Sequence, residues 1–244
     1  IFCGFYPMIL ATEFAQTNAS GTLMQACICI LFSMVFDSVD GRVARLTKTQ
    51  SEFGVQMDSL ADVVSFGAAP SILAWHWGLN HFGSSGLFCC FLFCACGTIR
   101  LARFNVYSGQ GPSWKDNFFE GIPSPAGGVL VLMPLIYSFS EIQFIDVNYN
   151  ILVPSFFLII SVLLISKIPT YSMKKIVVKR STTIFLLLGI VLFFGLLLVF
   201  TFNTILMSGL IYLLIIPISS MHYLSLKKKF STQFDDSDDH EDIL

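Results

Sequence analysis

Asp37, Asp40, Asp58 and Asp62 stand at short, regular spacing inside FDSVDGRVARLTKTQSEFGVQMDSLAD, at the edge of long apolar runs. A charged aspartate at the centre of a membrane helix costs roughly 2.5–3.5 kcal/mol on insertion scales. Four in one patch need a common partner, because carboxylates crowded together without one repel. A pair of divalent cations satisfies them, since hard cations take oxygen ligands. Asp37 and Asp40 are three residues apart and share one helix face; Asp58 and Asp62 are four apart and share a face of the next helix. Only a short turn around Thr47–Ser51 separates the helices. The two pairs can therefore face each other across a helical hairpin, a known way to hold two metal ions.

The residues between the pairs suit phosphate. Gly41 removes a side chain beside Asp40, and Ala44 keeps the same helix thin one turn later. Arg45 supplies a planar fork for phosphate or carboxylate. Gly54 thins the second helix one turn before Asp58. Ser51 either caps that helix or donates to a phosphate. Taken singly, Gly41 and Gly54 read equally well as close helix packing.

As an ordered set these residues read D-x-x-D-G-x-x-A-R-x8-G-x3-D-x3-D. The pattern resembles the signature of the CDP-alcohol phosphotransferase family, with all eight residues at the family spacing. The resemblance implies an integral membrane enzyme with a six-helix core that displaces CMP from a CDP-linked donor with an alcohol hydroxyl. It implies two divalent cations, Mg²⁺ or Mn²⁺, on Asp37, Asp40, Asp58 and Asp62. It places Gly41, Arg45 and Ser51 against the CDP-lipid, makes Asp62 the general base, and brings the homodimer usual in the family. The physics agrees: two metals can clamp the phosphate oxygens and the leaving group, and the attacking hydroxyl must lose its proton to a nearby base.

Further segments sharpen the resemblance. FCGF at the start, SEFGVQMDSLADVVSFGAAP, RLARFN at 100–105, FFEGIPSPAGG at 118–128 and IPTYSMKKI at 168–176 look like the bacterial membrane-bound phosphatidylserine synthases. The similarity covers roughly residues 1–180. It implies CDP-diacylglycerol and L-serine as substrates, phosphatidylserine and CMP as products, and the bacterial cytoplasmic membrane as location. Serine carries a carboxylate, so its site needs a cation. Arg100 and Arg103 share one face at the end of an apolar run, with Asn105 following. They are candidates for the acceptor or the lipid phosphate, against plain interfacial anchoring. Pro123 and Pro125 fit a helix start, and Ser124 between them reads as structural. Two alternatives stay open. One is the same chemistry on glycerol-3-phosphate or inositol phosphate; the other is a cation transporter built on intramembrane carboxylates.

The elements that must position these residues are membrane helices. The 244-residue chain is 55% hydrophobic and only 12% charged, against about 25% charged in a soluble domain. Net charge is −2, so no field draws nucleic acid. Apolar runs predict helices near 1–12, 21–44, 55–78, 85–104, 124–140, 149–166, 182–200 and 203–223. The fold expected is all-α, with about eight transmembrane helices: a six-helix core in residues 1–180, two further helices at 181–223, and a basic then acidic tail at 224–244 without structure. The chain opens inside IFCGFYPMILA, as the second half of a first helix would; a short first helix is the alternative.

Basic residues fix an orientation. All 14 Lys and Arg fall in alternate connections or at their helix ends: Arg42, Arg45 and Lys48; Arg100, Arg103 and Lys115; Lys167, Lys174, Lys175, Lys179 and Arg180; and Lys227–Lys229. The intervening loops carry none. The positive-inside rule then puts the aspartates and the C-terminus on the cytoplasmic side. Trp75 and Trp77 fall at the outer end of the third helix as interfacial anchors, with His76 and His81 too far from the aspartates to join them. The seven cysteines lie in apolar runs without zinc spacing and read as small apolar residues.

Overall fold

The computed structural model describes residues 2–47, 51–107, 118–140, 148–166, 168–171 and 183–238; the side chains of Ala44, Arg45, Tyr107, Thr183, Leu186 and the strands, and those past residue 221, lie outside that description. Each of the eight apolar segments is helical. Among the described residues, three helices are long and apolar enough to cross a membrane: Ser20–Val43, Ser84–Val106 and Thr201–Met221. Tyr149–Ile165 and Leu187–Val199 are shorter apolar helices.

Helix α1 (Phe2–Thr17) runs past the polar Thr12-Glu13 pair that ends the apolar stretch. Thr12 and Thr17 manage this by donating their hydroxyls to the carbonyls of Ile9 and Glu13, at 2.7 and 2.9 Å. Asn18, with φ 51°, turns the chain into α2 (Ser20–Leu46), which packs along α1. The predicted third helix is three pieces on one helical path. These are α3 (Glu52–Asp62), a π-helical turn (Val63–Ala68) and α4 (Ala69–Trp77). A 3-10 turn (Leu79–Phe82) leads into α5 (Ser84–Tyr107).

The predicted fifth helix is also divided, into α6 (Ser124–Val131) and α7 (Met133–Phe139). The break falls at Leu132, with φ −88° and ψ 1°. Pro134 explains it, because a proline inside a helix removes a hydrogen bond and clashes with the preceding turn. Helix α8 (Tyr149–Ile165) packs on α5, where Phe93 and Phe157 meet edge to face with centroids 5.5 Å apart. Helix α9 (Thr183–Val199) lies against α10 (Thr201–Asp238), and its apolar side chains are exposed nearly all round. The α10 backbone stays helical to Asp238, into the tail expected to lack structure. Extending an existing helix is far easier than starting one.

Two short strands pair antiparallel, β1 (Phe118–Glu120) with β2 (Pro169–Tyr171), which apolar periodicity did not reveal. Gly121 follows β1 with φ 73°, and its N–H donates to the Ile168 carbonyl at 2.9 Å. A methyl there would lie 2.9 Å from the carbonyl oxygens of Leu164 and Ser166, so only glycine fits.

Contacts at helix ends mark the two ends of the bundle. Trp77 meets Tyr149 edge to face at 5.6 Å, and Phe139 meets Phe202 at 5.5 Å. At the opposite end, Arg100 reaches Ser124, Arg103 reaches Ile165, and the strands pair. Each pairing joins helix ends that the alternation of basic loops assigns to the same side.

The seven cysteines are free, and Cys27, Cys89, Cys90 and Cys96 are buried among apolar neighbours. Phe157 is fully buried at 0% exposure. Phe157→Ala should cost about 3–5 kcal/mol through lost contacts and a residual cavity. A melt in detergent that does not shift would show that α5 and α8 are not packed as described.

Candidate active site

Ser51 starts the second arm of the site. Its backbone is extended (φ −127°, ψ 155°), and its hydroxyl accepts from the Gly54 N–H at 3.0 Å. This is an N-cap, which satisfies one of the orphan donors of α3. Of the two uses expected for Ser51, the structure contains the cap. Gly54 fits it closely: a methyl there would lie 3.2 Å from the same hydroxyl.

Residues of α2 and α3 then converge. Carboxylate oxygens of Asp37, Asp40 and Asp58 all lie within 4.8 Å of one another. Asp37 is half-buried, whereas Asp40 and Asp58 are exposed to whatever enters the site. Asp62 stands on the same face of α3 as Asp58, and its carboxyl group comes within hydrogen-bonding reach of Asp37. The donors are all carboxylate oxygens, the set preferred by hard divalent cations and poorly suited to softer metals. The cluster therefore fits such ions.

Gly41 lies one residue past Asp40 on α2. No other part of the described chain comes within 4 Å of the place a methyl would take there. Helix packing does not account for this glycine; open space beside the carboxylates does. Arg45 follows one turn later on α2, and its side chain lies outside the described residues.

Helix α5 supplies the cations. Arg100 is half-buried and close enough to Asp62 for their charges to interact. Its Nη1 donates to the Ser124 hydroxyl at 2.9 Å, and its buried Nε has no hydrogen-bond partner among the described residues. Arg103 Nη1 instead donates to the carbonyl of Ile165, the last residue of α8, at 3.0 Å. Such a bond satisfies a helix-end acceptor. Asn105 Nδ2 donates to the Ser59 hydroxyl at 2.8 Å, tying α5 to α3 beside Asp58. Of the three residues singled out on α5, Arg100 faces the carboxylates, while Arg103 and Asn105 make bonds that hold helices around it.

Two residues gain importance from the structure. Ser59 lies between the paired aspartates, and only its spatial partner Asn105 identifies it. Ser124 is buried at the start of α6 and accepts from Arg100. A hydroxyl between two prolines at a helix start was the available signal, but its partner lies 24 residues away.

Residues 1–216 match the model of the CDP-alcohol phosphatidyltransferase family. The chain is 37% identical over 192 residues to a CDP-diacylglycerol–serine O-phosphatidyltransferase of Helicobacter pylori, covering 79% of this chain and 76% of that protein. It is 41% identical over 135 residues to the enzyme of the same name from Saccharomyces cerevisiae, covering 54% and 48%. It is 38% identical over 154 residues to an archaetidylserine synthase of Methanothermobacter thermautotrophicus, covering 62% and 60%. The aspartate cluster, its spacing and these relatives lead to one assignment: the chain belongs to the CDP-alcohol phosphatidyltransferase family.

Proposed function

We propose that the protein transfers the phosphatidyl group of CDP-diacylglycerol to the hydroxyl of L-serine, giving phosphatidylserine and CMP. The observation that carries this is the carboxylate cluster on α2 and α3, with Arg100 facing it, in a chain whose relatives are named for that reaction.

Asp37, Asp40 and Asp58, with Asp62 beside them, are the residues that would hold two divalent cations. Bound there, Mg²⁺ or Mn²⁺ would neutralise phosphate charge and favour departure of a phosphate leaving group. The chain's own residues do the rest. Gly41 leaves the approach to Asp40 open, and Arg45 offers a fork to the pyrophosphate of the CDP-lipid. Ser51 supports this end of the site as the cap of α3.

The serine oxygen forms a bond to the phosphorus that carries diacylglycerol, and the bond from that phosphorus to CMP breaks. The serine proton passes to Asp62, and CMP leaves as a phosphate anion. Arg100 is the residue assigned to the serine carboxylate: its Nε lacks a partner among the described residues, and its charge lies close enough to interact with Asp62. Arg103 and Asn105 stand behind it, within reach of the acceptor or the lipid phosphate by their position on α5.

The bundle is read as eight transmembrane helices, six forming the catalytic core and α9 with α10 lying outside it. The end bearing the aspartates faces the cytoplasm of a bacterial inner membrane, and two copies form a dimer. Support comes from the alternation of basic loops and from contacts that pair helix ends accordingly.

Purified protein in detergent, given CDP-diacylglycerol, should release CMP only with both L-serine and Mg²⁺ or Mn²⁺ present. Chelation should abolish release, and either metal should restore it. Release with glycerol-3-phosphate or inositol phosphate instead of serine would retain the family chemistry and overturn the acceptor. Asp62→Asn should lower turnover by about 10²–10⁴-fold while Mn²⁺ still binds; near-normal turnover would remove Asp62 as the base. Arg100→Ala should raise the serine KM by roughly tenfold or more, the size of a lost charge-assisted hydrogen bond, and an unchanged KM would end its assignment. A reporter fused after Lys229 should score as cytoplasmic, and an external signal would invert the topology.

A further inference from the structure

The π-helical turn begins at Val63, directly after Asp62. Its signature is explicit: the Ala69 N–H bonds the carbonyl of Val64, five residues back. Such a turn is an α-helix carrying one extra residue, and it is frequent at functional sites. Its effect here follows from helical spacing. Side chains four apart lie one above the other. In an uninterrupted α-helix, the residues beneath Asp62 would be Phe66 and Pro70. The extra residue puts Gly67 and Ser71 there instead.

Those two stripes face different neighbours. Gly67 and Ser71 lie on α5. A methyl on Gly67 would sit 3.4 Å from the Cys94 sulfur, and the Ser71 hydroxyl donates to the carbonyls of Gly67 at 2.8 Å and Cys90 at 3.3 Å. Phe66 lies against α6, where a methyl on Gly128 would sit 3.0 Å from the Phe66 carbonyl oxygen. The turn thus swings Asp62 from the α6 side to the α5 side, and α5 is the helix that carries Arg100.

The turn is also held from two directions. On α6, Gly128 admits the Phe66 backbone. On α1, Gly4 admits Ser65: a methyl there would lie 2.7 Å from the Ser65 Cα, nearer than atoms can approach. Ser65, Phe66 and Gly67 are all buried, whereas α3 above them has no buried residue. An arm that bears the chemistry and little packing therefore takes its rotation from the clamped turn below it.

We propose that the π-helical turn Val63–Ala68, clamped by Gly4 and Gly128, is the positioning device of the transfer site, turning Asp62 and Asp58 toward Arg100 and Asp37. Gly4 and Gly128 are positioning residues for the reaction. The inference rests on the phosphatidyl-transfer reading above.

Three variants test it in full-length protein in detergent. Deleting Val64 returns the turn to α-helical register and rotates the aspartates by about 100° about the helix axis. Gly128→Ala and Gly4→Ala press on the turn from its two sides. Each should lower kcat for serine-dependent CMP release by roughly 10²-fold, the cost of a misplacement near 1 Å, with the CDP-diacylglycerol KM little changed. Mn²⁺ binding, followed by paramagnetic resonance without substrate, should weaken in each.

The decisive readout is coupling to Arg100. If the turn aims Asp62 at Arg100, adding Arg100→Lys to either glycine variant should cost much less than it costs the wild type. A merely structural role would give additive losses and normal Mn²⁺ binding in the protein that remains folded. Folded variants with wild-type kcat and Mn²⁺ affinity, or additive losses, would overturn the proposal. Should the deletion fail to fold, the two glycine variants decide the question alone. A wild-type protein without metal binding or serine-dependent release would instead overturn the transfer reading, and this inference with it.

Discussion

Like charges held close together where water is scarce are the constraint on which this molecule is organised. Two unit charges about 5 Å apart repel by roughly 3 kcal/mol at an effective dielectric near 20. The described helices bring three carboxylates within 4.8 Å and a fourth to the edge of the group. Water at exposed Asp40 and Asp58 screens part of the repulsion; half-buried Asp37 and Asp62 feel more of it. In the proposed enzyme, cations balance the remainder. The chain provides one itself, Arg100, and the donor set provides for others. The surrounding features serve this balance: the Ser51 cap that begins α3, the Asn105 bond to Ser59, and the Ser124 hydroxyl that holds Arg100.

Much of this was legible in the sequence because it is local. The aspartate spacing fixes which carboxylates share a helix face, and a turn of a few residues forces the two helices together. Apolar run length located eight helical segments, two of them divided, but not every end: α1 runs to Thr17 rather than residue 12, and α10 to Asp238 rather than residue 223. Pro123 and Pro125 marked the start of α6 for a steric reason that needs no tertiary knowledge. What was not legible depends on partners distant in sequence. Arg103 and Asn105 read as ligand candidates from charge and polarity alone, yet their observed bonds go to Ile165 and Ser59. The π-helical turn was invisible because one extra residue barely perturbs apolar periodicity over a window of that size. The β1–β2 pairing was hidden by its brevity: three residues per strand establish no alternation.

The two ends of the bundle are built from different chemistry, which follows from what each end does. Contacts at the end remote from the aspartates include aromatic pairs, Trp77 with Tyr149 and Phe139 with Phe202. All four rings bring apolar bulk, and Trp77 and Tyr149 also carry a polar group suited to an interface. Contacts at the aspartate end are directional: guanidinium to hydroxyl, guanidinium to carbonyl, strand to strand. Hydrogen bonds fix angles as well as distances, and the proposed transfer depends on angles, since its base and its anion-binding group are to meet the same substrate.

Helix α9 shows the opposite extreme. Its described side chains between Ile184 and Val199, mostly Leu, Ile, Val and Phe, are exposed, Leu197 only partly so. In the proposed membrane bundle their neighbours are lipid alkyl chains, which distinguish poorly between isomers of similar transfer free energy, since no hole of fixed shape is being filled. Leucine, isoleucine and phenylalanine should therefore replace one another freely along α9 over evolutionary time, with total hydropathy conserved and residue identity not. Gly4 and Gly128, which meet backbone and side-chain atoms at contact distance, allow no such drift. Among related chains α9 should be the helix whose letters diverge fastest while its meaning stays the same.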